Sequence, residues 1–454
     1  MDKIEVKYKV PIIKDTDVLV IGGGPAGIAA AVASARVGAN TVLVEQNGYL
    51  GGMATSALVG PFMTSYSPDG KKQIIKGIFE ELVRRMENEG GAIHPGKVGA
   101  GSSYSSYIKK GHNHVTPFDP ECLKRISETL CLEVGVDLLY YVFFLDAFLD
   151  GSKVKGGIFA SKSGLNIIKS KVTIDCTGDA DVAFKAGAIT KTGREKDKLT
   201  QPATLFFRVR NIDKKKMEEY LDKNKEPDGM QFSNLVEKAR SNGDFPIDRE
   251  KVSIWESVNP GIWGLNMTRI ANINATDPLE LTRASIEGRQ QVQILIKFMK
   301  KYMPGCENVE LIESAPQIGI RESRRIVGEY VLTEEDVLDS SNFEDSIALG
   351  GFPVDIHQPD GKSGSFILSR SNQPYKIPFR SLIPKNISFL LVAGRCISAT
   401  HEGLGSARVM PPCFATGQAA GVAAALSVQE GIQPRDLNIK LLRSTLLKQG
   451  AVID

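Results

Sequence analysis

The chain has 454 residues, and its 56 basic and 53 acidic side chains leave a formal net charge of +3. So even a balance argues against steering toward nucleic acid or anionic lipid, while the length allows two or three domains around a large core. Six cysteines, at 122, 131, 176, 306, 396 and 413, form no C-x-x-C pair, which argues against a dithiol centre, an iron–sulfur cluster and a zinc knuckle and suits reduced, buried thiols.

In chain order, Met1–Asp15 lacks an apolar signal region and predicts a short lead-in strand of a cytoplasmic protein. Asp17–Ile21 is a buried apolar strand. Gly22, Gly24 and Gly27 follow as G-x-G-x-x-G, with Pro25 and Ala26 opening a helix carried on by Ala29, Ala30, Ala31 and Ala33. The first glycine permits a tight turn, the second lets backbone approach a pyrophosphate, and the third brings helix and strand close. The helix N-terminus then faces the phosphates. Strand Thr41–Val44 places Glu45 where an acid accepts both ribose hydroxyls of an adenosine. Strand, turn, helix, strand and acid at this spacing predict a dinucleotide site.

The loop 94–118 carries three of the five histidines with many glycines and serines, which makes it a lid candidate. His112 and His114 are spaced for a metal, but no companion acid or cysteine lies at useful spacing, so no metal is expected. Asp119 and Pro120 predict a cap and first turn for a helix over Glu121–Leu132. Strands follow over Asp137–Phe143, Lys155–Ala160 and Lys171–Cys176. The apolar stretch Val134–Leu149 is broken by Asp137 and Asp146 and is too short to span a bilayer. A strand Ala203–Val209, a helix Lys214–Asn224, a turn at Pro227-Asp228-Gly229 and a long amphipathic helix Leu279–Lys301 come next. In that helix Ile286, Ile294, Leu295 and Phe298 form the apolar stripe. Near the C-terminus strand Phe389–Ala393 ends at Gly394-Arg395, and a helix opens near Thr416-Gly417-Gln418.

Past Glu45 the chain reads Gln46 to Ala54, QNGYLGGMA, with a glycine pair at Gly51 and Gly52 ahead of Met53 and Ala54. Together with Thr177-Gly178-Asp179 after the strand Val172–Cys176, and with Gly394-Arg395, this resembles flavoproteins with the glutathione-reductase type of FAD domain. Across nearly the whole chain, LGGMAT, GIRESRR and ATHEGLGSARVMP resemble FAD-dependent oxidoreductases related to heterodisulfide reductase A and fumarate reductase flavoproteins. The resemblance implies FAD as cofactor and an α/β fold. A discontinuous Rossmann-like FAD-binding domain is expected over 1–194 and 385–454, with an α+β substrate domain inserted at 195–384. It further implies that backbone at Val142 meets the adenine, and that the helix start at Gly417 and Gln418 faces the flavin.

Three constellations compete for the chemistry. His401, with Glu402 in the loop that the resemblance sets against the flavin ring, is the candidate proton carrier; the alternative is a histidine that only hydrogen-bonds the flavin. Arg408 in the same loop suits the flavin edge or a substrate anion. Arg321 and Arg324, or Arg321 and Arg325, share a face if GIRESRR is helical, and a strand separates Arg321 from Arg324. Such guanidiniums suit a carboxylate or phosphate, or else pair with Glu310, Glu313 or Glu329. The third is the loop 94–118. No second G-x-G-x-x-G exists, so electrons are expected from the substrate or from a partner protein. The favoured reading is an FAD-dependent oxidoreductase acting at a C–H bond of a small polar, carboxylated substrate. The alternative is an electron-transfer flavoprotein with a redox partner; a homo-oligomer stays open.

Overall fold

Strand β1 (Ile12–Ile21) runs between two parallel neighbours, β2 (Thr41–Val44) and β6 (Gly164–Asp175), in the computed structural model, which describes residues 6–359 and 364–454. Beyond β2 lies β3 (Asp137–Leu139), and the strand Leu390–Val392 pairs parallel with the end of β6. Ile21 stands opposite Val44 and Asp175, and Asp175 opposite Val392. The carboxyl ends of all these strands therefore meet along one edge, where open α/β sheets bind ligands. The first half of β6 turns instead to antiparallel partners, β5 (Lys153–Ser161) and then β4 (Phe143–Asp150).

Of the expected lead-in strand, Met1–Glu5 lie outside the described residues, Val6–Pro11 are irregular, and the ladder begins at Ile12. Pro11 has no N–H to give a sheet. The strand expected over Asp137–Phe143 splits in two. Pairing with β2 ends at Leu139, Tyr141 turns at φ +58°, and Phe143 opens β4. That turn lets the Val142 N–H donate to the Glu45 carbonyl at 3.2 Å.

Helix α1 (Pro25–Arg36) starts on a proline and is almost wholly small and apolar. It lies against the helix Met410–Glu430 so closely that a Cβ on Gly417 or Gly421 would come within 2.1 Å of the Ala26 or Ala30 carbonyl oxygen. The C-terminal helix thus opens at Met410, not near Thr416. Pro411 and Pro412 fall in its first turn, where their missing N–H groups break no helical bond. The preceding loop winds into its own short helix, His401–Ala407, capped by the Thr400 hydroxyl and set at 92° to the next. Among the described residues no single helix is long and apolar enough to cross a membrane.

A second core is built on the antiparallel sheet Glu310–Ser314, Phe207–Arg210, Trp263–Leu265 and Ile254–Glu256, in that order. The helix Pro278–Tyr302 packs on it, capped by Asp277 at the N–H groups of Leu279 and Glu280. It buries Leu295 and Phe298 as expected, but Ile286 is 49% exposed. Apolar residues from Ala203 to Ile318 belong to this core, whereas Leu332 to Ile383 pack with α1 and the C-terminal helix. The segment 195–384 therefore contributes to two cores.

Candidate functional site

At the carboxyl ends of the parallel strands opens a cavity of about 1290 Å³. Pockets for single small ligands hold roughly 300–1,000 Å³, so this one has room for a dinucleotide and a second molecule. One end is lined by Gly22, Gly24, Pro25 and Ala26, with Glu45, Gln46, Gly52, Met53 and Val142 around them. Gly22 turns at φ +102°, and a Cβ there would sit 2.5 Å from the Cys176 carbonyl oxygen. No side chain caps the first turn of α1, so its N–H groups and positive dipole end are left for an anion. Gly27, Gly51 and Ala54 do not line the cavity. Gly27 lets α1 press on the turn, since a Cβ there would meet the Gly22 oxygen at 1.8 Å, while Gly51 folds over Thr55 and Ala54 is core.

The Glu45 carboxylate is 6% exposed and already accepts from the Gly23 N–H at 2.7 Å, the Asn47 N–H at 2.8 Å and the Asn47 side chain at 2.9 Å. Burial raises its pKa against these bonds. Three donors on roughly four lone-pair sites leave room for one ribose hydroxyl where two were expected.

Midway, Thr177, Gly178, Asp179, Gly394 and Arg395 line the wall. Buried Asp175 holds this turn through the Thr177 N–H and hydroxyl and the Ala183 N–H. Arg395 Nη2 donates to Asp179 at 2.8 Å, while its buried Nη1 has no partner among the described residues. An unspent buried donor on this wall fits a phosphate or flavin oxygen. Arg324 also lies here, on the Asp179 carbonyl and the Asp181 carboxylate, with its plane over Phe184. Burial, then Asp179 and Asp175, push Asp181 up to about 7.

The far end gathers Arg321, Arg408, Arg249, Arg269, Asp355, His357 and His112. Arg324–Ile326 is a strand, so the arginines of GIRESRR diverge. Arg321 reaches the cavity, Arg324 the middle wall, and Arg325 turns back to Glu322, Ala399 and Gly193. The alternative partners Glu310, Glu313 and Glu329 pair instead with Arg210, Arg208 and Arg435. Arg408 donates to Asp355 at 3.2 Å. Burial alone would raise the Asp355 pKa, but His357, Arg408 and Arg321 hold it well below the usual carboxylate range. His357 accepts at Nδ1 from Arg269 at 2.9 Å and faces Asp355 through Nε2; burial keeps it neutral, with a pKa of about 3.

His401 lies outside this wall. It is 4% exposed, and its Nδ1 sits 2.9 and 2.8 Å from the two oxygens of buried Glu322, which also accepts from Arg325 and the Gln201 N–H. The structure thus separates His401 from the cavity, because capping by Thr400 turns the first helical turn inward. Gly417 and Gln418 are likewise displaced. Gly417 faces Ala26, and buried Gln418 accepts from the Ile78 N–H at 3.2 Å. Val409, Met410 and Cys413 line the cavity in their stead.

The loop 94–118 is tied down at several points. Ser103 bonds Glu256, Tyr107 bonds Glu218, and the N–H groups of Lys109 and Lys110 share the Asp228 carboxylate. It forms a wall through Ser105, Ser106, Ile108, Lys110 and His112. His112 Nδ1 lies 3.3 Å from the Ser105 carbonyl and so carries the proton. Its Nε2 has no partner among the described residues. Sequence spacing missed Arg249, Arg269, Asp355 and His357, which come from three separate segments with no motif of their own. Among the described residues no group of three His, Cys, Asp or Glu could hold a metal.

A family model described as FAD dependent oxidoreductase matches residues 17–446. Thiamine thiazole synthase from Aeropyrum pernix is 30% identical over 141 residues, 31% of this chain and 42% of that protein, so the chain spans about two fifths of the length of this curated relative. A geranylgeranyl bacteriochlorophyll reductase-like protein from Thermoplasma acidophilum superposes with a TM-score of 0.43 at 13% identity, covering 97% of this chain and 84% of that one. For p-nitrophenol 4-monooxygenase from Pseudomonas putida the TM-score is 0.47 at 10% identity, covering 96% and 84%.

Proposed function

The chain belongs to the FAD dependent oxidoreductase family, and from that premise we propose that it moves a hydride between FAD and a C–H bond of a small, polar, carboxylated molecule. One observation carries this reading: a single cavity runs from Gly22 and Glu45 to Arg321, Arg408 and Asp355. In this proposal the turn Gly22–Ala26 and the start of α1 hold the pyrophosphate, Glu45 a ribose hydroxyl, and backbone at Val142 the adenine. Thr177–Asp179 and Gly394–Arg395 flank the middle of the cofactor. When bound, FAD supplies the two-electron chemistry. Arg321 and Arg408 orient the substrate carboxylate. His112 replaces His401 as the proton carrier, because its tautomer is set by Ser105 and its Nε2 is left as an acceptor. On oxidation, the substrate's hydroxyl or amine proton passes to that nitrogen. A basic, walled compartment of this kind favours an enzyme over an electron-transfer subunit. A cytoplasmic setting is part of the same proposal and rests on the six buried, unpaired thiols.

The test is anaerobic mixing of the yellow holoprotein with a panel of hydroxy acids, amino acids, enoates and sugars. An acid in the panel should bleach the flavin, and bleaching by neutral sugars alone would defeat the proposal. Glu45→Ala should weaken FAD by about 1.5–3 kcal/mol, as for other hydrogen bonds to a charged group. Equilibrium dialysis against FAD checks this, and unchanged affinity would remove Glu45 from the site.

A further inference from the structure

Three arginines in or behind the walls of this cavity each have a carboxylate. Arg325 has Glu322, Arg324 has Asp181 and Arg408 has Asp355. Arg249 and Arg321 differ. They are 6% and 8% exposed, both line the far end of the cavity, and neither meets a carboxylate among the described residues. Each is held by neutral oxygens, and they converge on one residue. Arg249 Nη2 donates to the Asn266 carbonyl at 2.6 Å, and Arg321 Nη2 donates to the Asn266 side-chain oxygen at 3.2 Å. Arg321 Nη1 is fixed by the Pro202 carbonyl and the Thr204 hydroxyl, both at 2.7 Å. Arg249 Nε is buried with no partner among the described residues. Its backbone is clamped as well, since its carbonyl accepts from Arg240 at 2.6 Å.

A guanidinium does not lose its proton in a protein, and two of them buried side by side with no carboxylate bonded to either are costly. Asp355 acts on both from a distance but is ion-paired to Arg408. Burial and the neighbouring Arg408, Arg269 and Arg249 all work against the charge of Arg321. Asp355 and its partners occupy the Arg408 side, so the missing negative charge is expected from a ligand. We propose that Arg249 and Arg321 form an oxyanion site that anchors the substrate's carboxylate or phosphate group, with Arg249 the specificity-determining residue. The planar fork of each guanidinium matches either group. This inference rests on the oxidoreductase reading above, and it adds the residue that no motif marked. The anchor comes from the second core, whereas the cofactor turn comes from the first.

The experiment uses FAD-loaded protein, titrated separately with acetate, glycolate and inorganic phosphate by calorimetry and by flavin difference spectra. Binding of a carboxylate or of phosphate is expected, and whichever binds more tightly identifies the source of the oxyanion. Arg249→Gln should weaken that binding at least tenfold. Arg249→Lys, which keeps the charge but not the fork, should weaken it too, and both should keep one FAD per chain. Equal anion affinity in both variants would overturn the proposal. So would anion binding seen only in FAD-free protein, which would assign the pair to the cofactor. Wild-type protein that binds no FAD would instead defeat the underlying reading.

Discussion

His112→Gln will keep its FAD but reduce the flavin with substrate about a hundred- to ten-thousandfold more slowly, the usual cost of removing a general acid or base. His401→Gln will stay within about tenfold, because His401 contacts Glu322 and does not line the cavity. Stopped-flow reduction of both variants separates the two histidines. The reverse ranking would return the proton to His401. Proton acceptance also has a pH signature. Burial, with Lys251 adding to it and Ser105, Asp355 and Asp228 opposing, lowers His112 to about 4. A base must be neutral to accept, so the wild-type rate should hold as pH falls from 8 to 5 and drop only nearer 4. An unperturbed histidine would lose its rate already around pH 6.5.

Glu322→Ala should cost about 3–5 kcal/mol of stability, the largest effect expected of any single change outside the hydrophobic core. The carboxylate is fully buried between Arg325 and His401 and accepts from the Gln201 N–H. Removing it strands a guanidinium that is itself almost wholly buried. Glu322→Gln, which keeps one acceptor oxygen, should lose less. Denaturant midpoints for the three proteins decide this, and an unchanged midpoint for Glu322→Ala would mean that the network contributes nothing to the fold.

Legibility followed the range of the interaction. The turn Gly22–Gly27, Glu45 and the strand ends at Thr177 and Gly394 could be read from the chain because local backbone geometry dictates residue type there. The cap at Asp119, with Pro120 in the first turn, was readable for the same reason. What failed depended on which way a side chain points after two segments meet. His401 sits in a glycine-rich loop facing the right region, yet a Thr400 cap winds that loop into a helix and turns the ring toward Glu322. Pro411 and Pro412 look like loop residues and in fact start a helix. Arg249, Asp355 and His357 lie far apart in sequence and share no period, so only tertiary packing could bring them to one wall.

The close seam between α1 and the helix Met410–Glu430 has a consequence for biogenesis. The alanine face of the first helix has its main partner some 390 residues downstream, and β6 waits for the strand Leu390–Val392, whose Leu390 pairs with Thr173 from 217 residues further on. A ribosome will have released most of the polypeptide before the nucleotide-binding half can close. Until then its earliest helix and central strand present sticky, uncovered surface, and contacts of such long sequence separation form slowly. Nascent chains stalled before residue 390 should therefore be the ones that most need a chaperone.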